Sequence, residues 1–194
     1  FVLAGLRRKA ILLFLLAAIL TGLAGWNFGL KDYQKNRLTT LVNPLHDPRG
    51  SGYQVIQSKI AIGAGGLSGK GFMKGSQSQL RFLPAQHTDF IFAVWAEETG
   101  FVGASILVLA YGLLIARIFL IALHARDRTG ALGAGCIGVV LASQVIVNVA
   151  MVTGMAPTTG ITLPLMSYGG SSIRATAIAL GLVQSVWRLR FANV

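Results

Sequence analysis

Acidic side chains are scarce in this chain. It has six Asp and Glu among 194 residues, against seventeen Lys and Arg, and only 12% of its residues are charged. So little charge beside 54% hydrophobic residues and a mean hydropathy of +0.66 excludes an ordinary water-soluble domain and points to an integral membrane protein. Cysteine is almost missing: Cys136 stands alone inside an apolar segment, which excludes an internal disulfide and reads as packing. A complete metal-ligand set is missing too, since His87 and Asp89 at i and i+2 have no third partner in sequence. The stretch ending in Arg7, Arg8 and Lys9 has neither a leading Met nor the apolar core and small-residue cleavage site of a signal peptide, so a fragment is expected. The net charge of +11 raises nucleic acid as a partner. The basic residues, however, flank apolar runs and line one loop without an aromatic-studded basic face, so no nucleic acid is expected and anionic lipid or a phosphorylated substrate takes its place.

What is present is apolar and long. Residues 10–28 carry no charge over 19 positions, close to the roughly 20 that cross a bilayer, with a basic flank before them and Trp26 near their exit. Residues 90–123 would form a helix about 51 Å long, more than a span needs, and Thr99-Gly100 is the natural break. The reading is a short surface helix over 89–98 and a second span over 101–123. A third span is expected over 131–155, where Gln144 and Asn148 share a face and read as interhelical hydrogen-bonding groups. A fourth is expected over 173–187. Between the last two, MAPTTGITLPLMSYGGSS carries Pro157, Pro164 and Gly169-Gly170 and reads as a re-entrant or cavity-lining segment. Four alternating spans put loops 29–89 and 154–171 on one side, where they can meet, and the basic short loops make that side extracytoplasmic.

The chemistry concentrates in residues 57–98, which hold three of the six carboxylates, Asp89, Glu97 and Glu98, with Lys59, Lys70, Lys74, Arg81 and His87. The run GAGGLSGKG at 63–71 fails as a phosphate loop. A Walker loop needs Gly where Ala64 stands and Ser or Thr where Gly71 stands, and a GxGxxG reading needs Gly at Ser68. A flexible backbone remains. Asp89 sits where the polar loop meets an apolar helix and reads either as a proton acceptor or as an N-cap, with Glu97 and Glu98 then merely solvated. The cations read either as a solvated face near lipid headgroups or as a phosphate-capturing set. Ser167, Tyr168, Ser171 and Ser172 read either as helix-start caps or as the polar lining of a groove.

Four separated stretches, DYQKNR at 32–37, DPRGSGYQVIQSKIAIGAGGLSGKG at 47–71, FLPAQHTDFIFAVWAEETGFVG at 82–103 and PLMSYGGSS at 164–172, closely resemble the RodA/FtsW family, the SEDS proteins of bacterial shape, elongation, division and sporulation. Lys59 in QSKIAIG and the GKG preceding SQSQLRFLP are more similar to RodA than to FtsW. The resemblance implies an all-α polytopic membrane protein of ten spans in the bacterial inner membrane. Residues 1–194 would be the C-terminal part of its single membrane domain, contributing four of the spans and a large extracytoplasmic loop.

It further implies a peptidoglycan glycosyltransferase that polymerises lipid II into glycan strands for elongation and rod shape, working with a class B penicillin-binding protein and other cell-elongation proteins. Asp89, in HTDF, matches the family's catalytic carboxylate. Ala85 and Gln86 stand where the family motif begins LPE, so no carboxylate role carries over to those positions. Gln57, Lys59, Lys70, Arg81, Ser167, Tyr168, Gly169, Gly170 and Ser171 are the expected substrate-binding residues, and a divalent cation, Mg or Mn, is the candidate cofactor. The alternatives are a lipid II flippase, which the scarcity of ionisable groups within the spans disfavours, and a scaffold that only recruits the cross-linking enzyme.

Overall fold

The computed structural model describes residues 50–76 and 87–189, together with positions 12, 13, 16, 17, 21, 34, 37 and 39–41. Among the described residues the chain is helical and has no strand. Four helices follow one another: α1 over Ser51–Gly65, α2 over Ile91–Leu123, α3 over Arg128–Val152 and α4 over Gly170–Leu189. The expected first span falls outside the described residues except at 12, 13, 16, 17 and 21, all helical.

α2 and α3 form the frame. At 33 and 25 residues they are the two described helices long and apolar enough to cross a membrane. A short turn at 124–127 joins them as an antiparallel pair, and Asp127 caps α3 by accepting from Gly130 N at 2.7 Å. Ile118, Ile121, Ala122, Ala134, Leu141 and Val183 pack one end of this frame. Phe90, Phe92, Ala93, Tyr111, Val145, Met151, Val152 and Leu163 pack the other, together with Ala61 from α1. The outward faces stay apolar: Leu113 is 73% exposed and Leu109 66%, as suits helices surrounded by lipid or further spans. α4 covers the expected fourth span and extends it at both ends.

Three expectations are corrected. The 50–71 stretch is not simply flexible loop, because its first part is α1, whose buried face is Gly52, Val55, Ser58, Ala61 and Gly65. That face is helical in spacing but made of small residues, so it gave little apolar periodicity to read. The helix before Gly100 is no surface helix: Phe92, Ala93, Ala96 and Glu97 are buried, because α1 lies against it. Cys136 is exposed rather than packed, since α3 turns Ala134, Gly138 and Leu141 inward and leaves position 136 outside.

The break expected at Thr99-Gly100 is present as a kink inside α2, with Gly100 at φ 70° and ψ −167°. A kink there frees the amides of Phe101 and Val102 and the carbonyls of Glu97 and Glu98, which an unbroken helix would pair with each other. The glycine run fills the gap. Phe101 N donates to Gly66 O at 2.8 Å and Val102 N to Leu67 O at 3.2 Å, while Lys70 N and Gly71 N donate to Glu97 O and Glu98 O at 3.0 Å each. The loop thus replaces both lost helical bonds from each side. Glycine is required at the crossing: a β-carbon at Gly69 or Gly100, both at positive φ, would run into the backbone of the other strand of this splice.

Candidate active site

Asp89 lies in the turn 87–90 that leads into α2. The N-cap reading does not hold, because the cap position is Phe90 and no side chain caps the helix. The carboxylate is partly buried, and among the described residues no hydrogen bond or ion pair engages it. Its Oδ2 faces Gly160, where a β-carbon would sit 3.5 Å away. Gly160 has φ +75°, so a side chain would be strained there as well as close to the acid.

The main chain around Asp89 is clamped by residues distant in sequence. Asn148, fully buried in α3, donates Nδ2 to Asp89 O at 2.9 Å and to Ile161 O at 2.7 Å. Ser167 Oγ donates to Thr88 O at 2.6 Å and accepts from Leu163 N at 2.7 Å. Tyr168 N donates to His87 O at 2.8 Å, and the Tyr111 hydroxyl donates to Pro164 O. Within the irregular segment 153–169 the carbonyls of Ile161 and Pro164 are thus tied to side chains, and that of Leu163 to the amides of Met166 and Ser167, the kind of pairing that non-helical backbone needs at membrane depth. The two loops expected on one side do meet here, and Asn148, expected to bond from helix to helix, instead ties α3 to two loop carbonyls.

The other candidates separate. Lys70 is committed: its Nζ lies 3.0 Å from Glu97 Oε1 and 2.6 Å from Ser76 Oγ, and Glu97 is fully buried, not solvated. Lys59 is exposed, its side chain lying against Gly154. Gln57 is half-buried on α1. Ser167 is 1% exposed and saturated by its two bonds, whereas Tyr168 is 79% exposed and Gly170 and Ser171 are also open, with Gly169 half-buried. Arg81 lies outside the described residues. No three His, Cys, Asp or Glu side chains converge among the described residues, so these do not by themselves form a cage for Mg or Mn. An apolar cavity of about 670 Å³ opens beside the kink between Ile62, Phe92, Gly100, Ala104 and Val149, and no titratable group lines it. Two participants escaped the sequence reading, Glu97 as a buried ion-pair partner and Arg37, whose Nη1 donates to Thr158 O at 3.0 Å. Arg37 belongs to the DYQKNR stretch, the only signal that pointed to it.

Comparison with known proteins gives the family and the fold. The model of the FtsW/RodA/SpoVE family of cell cycle proteins matches residues 1–190. Among curated relatives, the peptidoglycan glycosyltransferase MrdB of Escherichia coli K12 is 51% identical over 161 residues, covering 83% of this chain and 44% of the relative. The peptidoglycan glycosyltransferase RodA of Treponema pallidum is 47% identical over 158 residues, covering 81% of this chain and 36% of the relative. The stage V sporulation protein E of Bacillus subtilis is 44% identical over 172 residues, covering 87% and 46%. One solved structure, from work on the structural coordination of polymerization and crosslinking by a peptidoglycan synthase complex, superposes with a TM-score of 0.75 at 43% identity, covering 97% of this chain and 52% of that one. The rod shape determining protein RodA of Thermus thermophilus superposes with a TM-score of 0.52 at 35% identity, covering 87% and 58%. This chain belongs to the FtsW/RodA/SpoVE family and is a helical membrane protein. It spans about half the length of the curated relatives it matches.

Proposed function

We propose that the protein containing this chain is a peptidoglycan glycosyltransferase that polymerises lipid II for cell-wall elongation and rod shape, with Asp89 as the catalytic base. The observation that carries the reading is a carboxylate with no partner among the described residues, held by its own main chain and not by its side chain. Asn148 fixes the Asp89 carbonyl and Ser167 fixes the preceding one, while the acid itself stays available beside Gly160. A base must be positioned and unengaged to take a proton.

In this mechanism an Asp89 oxygen accepts the proton of an acceptor sugar hydroxyl as the hydroxyl oxygen bonds to the anomeric carbon of the donor glycan. The bond from that carbon to the lipid diphosphate breaks, and the diphosphate leaves with the electron pair. Cations near the leaving group stabilise its charge. The candidate Mg or Mn has no assigned ligands, and no step passes through it. Within this reading the chain supplies the C-terminal four of ten spans in the bacterial inner membrane, with the Asp89 side extracytoplasmic. A class B penicillin-binding protein and other elongation proteins are its partners, in keeping with the synthase complex whose structure it resembles.

The test is polymerisation of labelled lipid II by the purified full-length protein with its penicillin-binding partner. Wild type should make glycan chains and Asp89→Asn should lose about 100- to 10,000-fold, the range for a general base. Full activity in Asp89→Asn would remove the base from Asp89. No chains from wild type, with headgroup translocation in liposomes, would favour the flippase.

A further inference from the structure

The carboxylate of Asp89 needs room on one side for a hydroxyl to reach it, and Gly160 supplies room. A β-carbon built on Gly160 would lie 3.5 Å from Asp89 Oδ2, and beyond the chain neighbours no other described atom comes within 4 Å of that position. The missing side chain leaves an open slot with a carboxylate oxygen at one end. Gly160 itself is exposed, so the slot reaches the surface.

Both flanks of Gly160 are fixed from one face of α3. Met151, fully buried, accepts from Thr159 N through Sδ at 3.4 Å, and Asn148, three positions earlier, donates to Ile161 O at 2.7 Å. Asn148 also donates to Asp89 O at 2.9 Å, so one side chain holds both walls of the slot. Further along, Thr162 Oγ1 and Ser172 Oγ lie 3.4 Å apart and tie the strip to the start of α4. A strip held at 159, 161 and 162 does not swing aside to admit a side chain at 160.

A hydroxyl bonded to a carboxylate places its oxygen about 2.7 Å away, and the carbon that bears it needs about 3.5–4 Å from any other carbon. On the Gly160 side, that oxygen and its carbon take the place a β-carbon would fill. We infer that Gly160 is a specificity-determining residue: its missing side chain is the slot through which the acceptor sugar hydroxyl reaches Asp89, and α3 fixes the width of the slot through Asn148 and Met151. The occupant of the slot rests on the glycosyltransferase reading, whereas access to the carboxylate through it rests on geometry. The positive φ of Gly160 favours glycine by itself, so strain and blocked access need separate variants.

The experiment labels carboxylates of the full-length protein, with its penicillin-binding partner in micelles, using a water-soluble carbodiimide and glycine ethyl ester, and follows Asp89 and the exposed Asp127 by peptide mass spectrometry. Asp89 should label in the wild type, and Gly160→Ala should slow it about tenfold or more, as expected when a methyl group is forced into the space the reagent needs. Asp127 labelling should not move, and polymerisation of lipid II should fall in parallel with Asp89 labelling. Gly160→Asn, whose side chain tolerates left-handed backbone, should block labelling as well with a smaller drop in melting temperature. Gly66→Ala, at φ +54° with nothing within 4 Å, carries strain without a contact; it should lower the melting temperature and leave Asp89 labelling as in wild type. Wild type in which Asp89 does not label, or Gly160 variants in which it labels at the wild-type rate, would overturn the slot. Equal slowing in Gly66→Ala would overturn it too, because strain alone would then account for the effect. Slowed labelling with full polymerisation would send the acceptor to Asp89 from another side and overturn it as well. Asp89→Asn that still polymerises lipid II would remove the base and leave the labelling result standing, so the two failures are distinct.

Discussion

The side-chain amide of Asn148 donates to the main-chain carbonyl of Asp89 at 2.9 Å, from near the C-terminal end of one membrane helix to the turn that starts another. The same nitrogen reaches Ile161 O at 2.7 Å, so one residue sets the spacing between the acid and the segment facing it. Asn148→Leu should leave two part-buried carbonyls without this donor, at about 1 kcal/mol or more for each. Polymerisation should fall with stability, while Gln144→Leu, on the same helix and only half-buried, should cost less. Denaturant titration in micelles, paired with glycan-chain assays, reads both. Equal costs for the two would mean the clamp on Asp89 is not held by Asn148.

The splice at Gly100 makes a sharper test, because it depends on backbone alone. Gly100→Ala forces a β-carbon into Gly69 N and Leu67 O at a left-handed φ, and should cost about 1–3 kcal/mol from the conformation alone. Gly63→Ala, in α1 with nothing within 4 Å, should be neutral or stabilise by about 0.5–1 kcal/mol. Hydrogen exchange at Phe101 and Val102 should rise only in the first variant, since their amides depend on the loop. Unchanged protection in Gly100→Ala would count against the splice.

Lys70 and Glu97 should behave as a unit. Lys70→Met leaves a fully buried carboxylate with Ser76 at 3.2 Å, and should cost about 1–3 kcal/mol, below the 3–5 of a wholly buried pair because Lys70 is 31% exposed. Adding Glu97→Leu should recover much of that loss, giving a clear coupling in a double-mutant cycle. Additive losses would mean the two side chains act separately.

The parts of the molecule differ in how far the sequence reveals them, and the difference is physical. The kink at Gly100 is legible because a Thr-Gly pair interrupts an apolar run too long for one span, and Asn148 because an amide among apolar neighbours needs a partner. Asp89 stands out as a candidate through the resemblance of its motif. α1 is not, because its buried face of Gly52, Ser58, Ala61 and Gly65 relies on close approach and not on bulk. The acceptors that hold the site, carbonyls of Thr88, Asp89, Thr158, Ile161 and Pro164, have no residue type and leave no trace in a sequence. Lys70 and Glu97 are 27 positions apart, so each reads as a solvated charge until the splice brings them together.

The serines of MSYGGSS should divide by role when each is changed to alanine. Ser167 spends its hydroxyl twice, toward Thr88 O and from Leu163 N, and is 1% exposed. Its loss strips a donor from one part-buried carbonyl and an acceptor from one buried amide, an expected cost of about 1–3 kcal/mol. Ser171 is exposed at the first turn of α4, so Ser171→Ala should stay within about 0.5 kcal/mol of wild type. If Ser171 touches substrate, that variant should raise the KM for lipid II at unchanged stability, while Ser167→Ala should lower the melting temperature first and activity as a consequence. The check is thermal unfolding alongside steady-state polymerisation for both variants. A stable Ser167→Ala with a raised KM would move Ser167 from the frame of the site into its lining, and with it the turn that carries Asp89.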